Sequence, residues 1–131
     1  MRYRIERKKP TLSSLAAADI DAARNGLNVV MLEKMPIIGG SSLLSTGGMN
    51  VAGSKQQKEA GFKDSPEIFV KDTLKVGKGT NDKVLLSTLA QQSNSALEWF
   101  EAMGGHLDLD HGVYGGCTVP RMHYTKSGGI G

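Results

Sequence analysis

Glu33 is the residue whose type and place carry the most chemistry. A short apolar run, Val29 to Leu32, closes on Glu33 and Lys34, and a loop with two glycine pairs follows, Gly39-Gly40 and Gly47-Gly48. In doubly wound folds an acidic side chain at the carboxyl end of the second strand accepts hydrogen bonds from ribose hydroxyls, and ligands sit outside the carboxyl ends of the strands. The segment Leu27 to Asn50, LNVVMLEKMPIIGGSSLLSTGGMN, therefore reads as the adenosine-ribose end of an FAD site. Taken singly, Glu33 could be an exposed carboxylate after a buried strand, and the glycine pairs ordinary turns. Their order favours the cofactor.

Other candidate residues carry less. His106, Asp108, Asp110 and His111 bring imidazole and carboxylate together, which suits zinc or iron, but their spacing matches no closed metal site, and no metal is expected. Cys117 sits in a Gly-Gly-Cys-Thr turn with no adjacent base and reads as a structural thiol rather than a nucleophile. No residue is assigned a catalytic role. Trp99, Phe100 and Met103 are spaced as core residues.

The elements that must position Glu33 follow from periodicity. Leu12, Ala16, Ile20 and Ala23 recur at helical spacing and Gly26 stands where a left-handed cap would end the element, which predicts a helix from about Leu12 to Asn25. Leu27 to Glu33 is then expected as a parallel strand covered on both faces. Helix, tight turn and strand form the second half of a βαβ unit, so a first strand should lie upstream. Tyr3 to Pro10 is a poor candidate, because unpaired buried ions are costly and Pro10 cannot donate to a ladder. Downstream, Asp64-Ser65-Pro66-Glu67 is a helix-start signal for a helix to about Val76. Asn81 or Asp82 caps another through Leu85, Leu86 and Leu89, and Ala96, Leu97, Phe100 and Met103 mark a third that stops at Gly104-Gly105. From His106 onward glycine returns, and Ser127-Gly128-Gly129-Ile130-Gly131 is expected as a loop.

Composition limits the alternatives. A 131-residue chain is about one domain long, and 39% hydrophobic and 22% charged residues are near globular averages, while 17 glycines point to loops between α/β elements. The lone cysteine removes any disulfide framework within the chain and is compatible with a reducing compartment. Arg2, Arg4, Arg7, Lys8 and Lys9 stand against Glu6, so the basic tail over residues 1–11 carries more than the whole net charge of +3. Such a tail could dock on phosphate, but a solvated terminus is the expectation, with no nucleic-acid partner. Asp19 and Asp21 interrupt the only candidate signal-peptide core, and no run of about 18 apolar residues is present. Neither a signal peptide nor a membrane span is expected; the expectation is a soluble protein, with the location left as cytoplasmic or unknown.

Residues Leu15 to Gly131 resemble the amino-terminal part of the FAD domain of the fumarate reductase and succinate dehydrogenase flavoprotein family, and within it the flavocytochrome-like fumarate reductases and urocanate reductases. The carrying segments are VVMLEKMPIIGGSSLLSTGGMNVAGSKQQ, KDSPEIFVKDTLKVGKGTND, SALEWFEAMGG and the terminal TVPRMHYTKSGGIG. The resemblance implies that Glu33 holds the adenosine ribose with Lys34 beside it. It implies that Gly40, Ser41 and Ser42 form a turn whose main-chain N–H groups approach the pyrophosphate and flavin, with Ser41 replacing the usual asparagine. Thr46, Gly47 and Gly48 match the next FAD-contacting turn, where a missing side chain lets backbone come close to the ligand. Arg121 and His123 match the arginine and histidine of the segment near the isoalloxazine.

Two departures qualify what the resemblance implies. The family opens with an apolar strand and a GxGxxG turn that binds pyrophosphate; here that place holds Lys9 to Ser14, with no glycine between Met1 and Asn25. The residues that clamp the substrate and deliver the proton in the family lie in later segments. The expectation is a helix-rich α/β fold over residues 12–131, a partial Rossmann-like FAD-binding domain lacking the first strand and its glycine turn. The implied parent is an FAD-dependent oxidoreductase reducing, or forming, an activated C=C bond in a small carboxylate such as fumarate or urocanate. A chain of this kind is expected to be a truncated piece with little activity alone, or a non-catalytic module that pairs with a complementary chain or with itself.

Overall fold

A computed structural model of the protein describes residues 14–31, 36 and 47–125. The chain divides into two compact units, residues 1–47 with 127–131, and residues 48–126.

In the first unit, helix α1 spans Ser14–Arg24. It ends as its sequence requires: Gly26 takes φ +81°, which an L side chain rarely adopts. The Gly26 N–H donates to the Ala23 carbonyl and the Leu27 N–H to that of Ala22, both at 3.1 Å. This is the paired Schellman pattern that satisfies the last carbonyls of a helix. The strand expected over Leu27 to Glu33 is not formed where it can be seen, since residues 27–31 have no strand structure, and Leu27 and Val30 are 64% and 68% exposed. An apolar run becomes a buried parallel strand only when neighbouring strands complete its ladder, and none pairs with it among the described residues. Residues 32–35 lie outside them, as do the basic tail and the segment proposed as a failed first strand.

The second unit holds strand β1 (Met49–Asn50), helices α2 (Lys55–Glu59), α3 (Pro66–Val76) and α4 (Lys83–Ala102), and strands β2 (Asp108–Leu109) and β3 (Met122–Tyr124). The sheet order is β1-β3-β2 and both pairs are antiparallel, with Met49 opposite His123 and Asp108 opposite Tyr124. The described residues thus mix helix and strand and are helix-rich, as expected, but their sheet is antiparallel rather than parallel. Two of its three strands follow His106, where no strand was expected, and the terminal loop expected over residues 127–131 lies outside the described residues.

Local capping explains the helices. The Ser65 hydroxyl accepts from the Ile68 N–H at 3.3 Å with Pro66 in the first turn, and Asp82 accepts from the Val84 and Leu85 N–H groups at 2.9 and 3.0 Å. The two helices expected between Asp82 and Met103 are one helix of 20 residues, because nothing from Ala90 to Ser95 breaks the backbone ladder. Helix α2 was not expected, although Ser54-x-x-Gln57 forms a complete capping box at its start. One core cluster joins Val51, Leu97, Phe100 and Leu107, with Met49 and Trp99 packed on it; another joins Ala52, Phe69 and Ala90.

Candidate functional site

Of the residues assigned to the cofactor, Gly47 and Gly48 are described; Glu33, Lys34, Gly40, Ser41, Ser42 and Thr46 lie outside the described residues. Gly47 is buried with φ +74°, a backbone state suited to glycine. Gly48 is small for a different reason from the one expected. A Cβ built there would lie 2.6 Å from the Met122 sulfur and collide with the Tyr124 ring. The space that Gly48 leaves is filled by the two outer side chains of β3, so its lack of a side chain serves strand packing as well as any ligand.

β3 is in turn locked from behind. Arg121 is 1% exposed and donates from Nε to Asp64 Oδ2 at 3.0 Å and from Nη2 to Asp64 Oδ1 at 2.8 Å, while Nη2 lies 3.0 Å from Asp72 Oδ2. Its guanidinium also lies over the Phe69 ring, 4.9 Å from the centroid. Gln57 donates to Asp64 Oδ2 at 2.9 Å and to the Pro120 carbonyl at 2.7 Å. Burial opposes ionisation of Asp72, yet the Thr118 N–H and hydroxyl and the Arg121 charge together hold its pKa below the usual carboxylate value.

His123 is fully buried. Its Nδ1 lies 2.9 Å from the Arg121 carbonyl, which can only accept, so Nδ1 carries the proton. Nε2 then accepts from the Ser54 hydroxyl at 3.0 Å, and desolvation lowers the pKa so that the ring is neutral. The resemblance had placed Arg121 and His123 near the isoalloxazine. Both side chains make their bonds within this unit, one clamped by two aspartates and the other by a serine and a carbonyl.

On the other side of β1 lies a groove of about 750 Å3, formed by β1, α3, α4 and the Tyr114 to Cys117 turn. Its walls are largely apolar, with Val76, Leu86, Leu89 and Ala96, and the free thiol of Cys117 is half-buried at its lining. Asn50 and Asn81 line this groove, and the side-chain oxygen of each is buried without a hydrogen-bond partner, that of Asn81 packed against Gly77. Asn81 was expected only as an alternative helix cap, a role that Asp82 takes, and Asn50 was not singled out.

The His106, Asp108, Asp110 and His111 group is spread out. His106 Nε2 meets Asp108 Oδ1 at 3.1 Å, Asp110 accepts from the Gly112 N–H at 2.7 Å and from the Tyr114 hydroxyl, and His111 packs edge-on to Phe62. Among the described residues no three His, Cys, Asp or Glu side chains converge on a metal position.

Comparison with known proteins identifies the frame to which this geometry belongs. Residues 12–129 match the model of the FAD binding domain family. The chain belongs to that family. It is 41% identical over 116 residues to a fumarate reductase (cytochrome) of Shewanella frigidimarina, covering 88% of this chain and 20% of the relative. It is 38% identical over 89 residues to the urocanate reductase of Eggerthella lenta, covering 68% of this chain and 15% of that one. A solved structure, the open conformation of a flavocytochrome c3 fumarate reductase, is similar with a TM-score of 0.76 at 40% identity, covering 85% of this chain and 20% of that chain. The chain thus spans about one fifth of the length of these fumarate reductases and corresponds to the amino-terminal portion of their flavoprotein.

FAD is the cofactor of this family. Among the described residues, Gly47, with φ +74° and no side chain, fits the close approach to backbone that such a cofactor needs. No helix among the described residues is long and apolar enough to cross a membrane.

Proposed function

We propose that this chain is the cofactor-binding segment of an FAD-dependent oxidoreductase that reduces, or forms, an activated C=C bond in a small carboxylate such as fumarate or urocanate. The observation that carries the reading is the match of residues 12–129 to an FAD binding domain together with 41% identity to a fumarate reductase. In this reading Glu33 accepts hydrogen bonds from the adenosine ribose with Lys34 beside it. Gly40, Ser41, Ser42, Thr46, Gly47 and Gly48 bring main-chain N–H groups to the rest of the cofactor. When bound, FAD supplies the hydride equivalent for alkene reduction. The chain's own part is to bind and orient. Arg121, tied to Asp64 and Asp72, holds β3 against β1 and so fixes the backbone after Gly48. In this reading the residues that clamp the substrate and deliver the proton belong to later segments of the parent enzyme. Incubation with FAD followed by absorbance tests the reading: saturable but weak uptake is expected, with no turnover of fumarate or urocanate from a reduced viologen donor. Absence of any flavin uptake would remove the binding role, and turnover would remove the claim that this segment is inactive alone.

A second reading, from a different class, is a non-catalytic interaction module completed by another chain. Val84, Leu85 and Leu89 on α4 are 75%, 69% and 61% exposed, an apolar surface that a partner or a second copy could cover. Size-exclusion chromatography separates the two, since this module is expected to self-associate and a cofactor-binding monomer is not.

A further inference from the structure

We propose that Asn25 is a deamidation site, converted without an enzyme by attack of the Gly26 main-chain nitrogen on its side-chain amide, and that the hydrogen-bonded end of α1 sets the rate. The step forms a bond from the Gly26 nitrogen to Asn25 Cγ and breaks the bond from Cγ to the side-chain nitrogen, which leaves as ammonia with the proton that Gly26 gives up. Water then opens the five-membered imide at either carbonyl, giving aspartate or isoaspartate. No oxidant or reductant is needed, and the chemistry is independent of whether FAD is bound.

The residue that follows each asparagine singles out Asn25. Cyclisation brings the next residue's nitrogen onto Cγ, so a side chain on that residue crowds the forming ring, and glycine has none. Asn25 is followed by Gly26, whereas Asn28, Asn50, Asn81 and Asn94 are followed by Val29, Val51, Asp82 and Ser95. The surroundings are open as well. A Cβ built on Gly26 would meet nothing within 4 Å, and Asn25 and Gly26 are both exposed.

What holds the reaction back is the helix end. The Gly26 N–H donates to the Ala23 carbonyl at 3.1 Å and the Asn25 side-chain amide donates to the Asp21 carbonyl at 2.9 Å, so the attacking nitrogen and the leaving group are both engaged. Both bonds must open before the ring can close. Two features make that opening easy. α1 has 11 residues, a length at which a helix draws little stability from its own hydrogen bonds. A Schellman end is often reinforced by an apolar contact between the residue after the glycine and the last helical turn, yet here Leu27 is 64% exposed and its counterpart Ala22 is small. Exposed helix ends of this kind open at little cost in free energy. The product does not restore the cap: it sets a negative charge at the negative end of the α1 dipole, and isoaspartate adds a methylene to the main chain just before the run that leads to Glu33.

The test follows the purified full chain during incubation at neutral to mildly alkaline pH, by peptide mapping with fragmentation that separates Asn25 from Asn28. Conversion at Asn25 ahead of every other asparagine is expected, with isoaspartate among the products and a rate that rises with hydroxide concentration. Unfolding the chain in urea is expected to speed conversion by about tenfold, as for a helix end that opens readily. Asn25→Gln, whose longer side chain must close a six-membered ring, is expected to lose the early mass gain in both conditions. Earlier conversion of Asn28, Asn50, Asn81 or Asn94 in the folded chain overturns the assignment. So does a folded-state rate more than about a hundredfold below that in urea, which would mean that the helix end stays shut. Equal rates in the two conditions overturn the part given to the hydrogen bonds.

Discussion

The two sides of β1 and β3 use polar residues in opposite ways. Behind the strands, Arg121, Asp64, Asp72, Gln57, Ser54 and His123 form a buried network tied by short bonds, joined by the exposed Thr118, with Asp72 also on the groove lining and Arg121 Nη1 the one nitrogen left without a hydrogen-bond partner. On the groove side the surface is apolar and its two buried carboxamide oxygens are unmatched. The difference teaches where ligand chemistry is to be sought. Charge here serves architecture, because each buried ion is neutralised by a neighbour in the same unit.

The comparison can be broken most sharply on the network side. Arg121→Met leaves Asp64 and Asp72 buried without their counter-charge and is expected to destabilise the fold by about 3–5 kcal/mol, read from urea denaturation. A loss below about 1 kcal/mol would mean that the network does not hold β3. Gly48→Ala forces Met122 and Tyr124 aside and is expected to cost about 1–3 kcal/mol, typical of overpacking. Adding Tyr124→Leu should recover part of that loss if the clash is the cause.

Acid probes the same side. The folded pKa of His123 lies below its ordinary value of 6.5, so the unfolded chain binds the extra proton more readily. Stability from this residue is complete above about pH 6.5 and falls as pH drops toward the folded pKa. His123→Asn should flatten that part of the profile. Asp72, also lowered, contributes a second loss as pH falls below its ordinary 3.8 toward its folded value.

Smaller effects sharpen the contrast with the groove side. Asp82→Ala removes the cap of α4 and is expected to cost about 1 kcal/mol. Leu89→Ser, on the exposed groove wall, should change stability by less than about 0.5 kcal/mol while reducing any self-association seen by size exclusion.

Much of the helical structure was legible in order of residues alone. Ser65-Pro66, Asp82 and Gly26 each act through hydrogen bonds to backbone three or four residues away, so their effect is written locally. Ser54-x-x-Gln57 was equally legible and was passed over because the segment read as the end of a glycine loop. The division of α4 into two helices failed for a related reason: its apolar residues were grouped by clusters, whereas only a glycine or proline would have interrupted it.

What the residues alone determined, then, is the kind of molecule: an FAD-family segment whose helix starts and stops are set by neighbours in sequence. The tertiary structure alone decided the antiparallel β1-β3-β2 sheet, and it buried Arg121 and His123 among their hydrogen-bond partners. Those outcomes depend on partners such as Asp64 and Ser54, which lie 57 and 69 positions away along the chain. Side-chain type tells that a charge must be neutralised if buried; only packing tells which distant carboxylate does it, and which amide oxygen is left waiting for a donor.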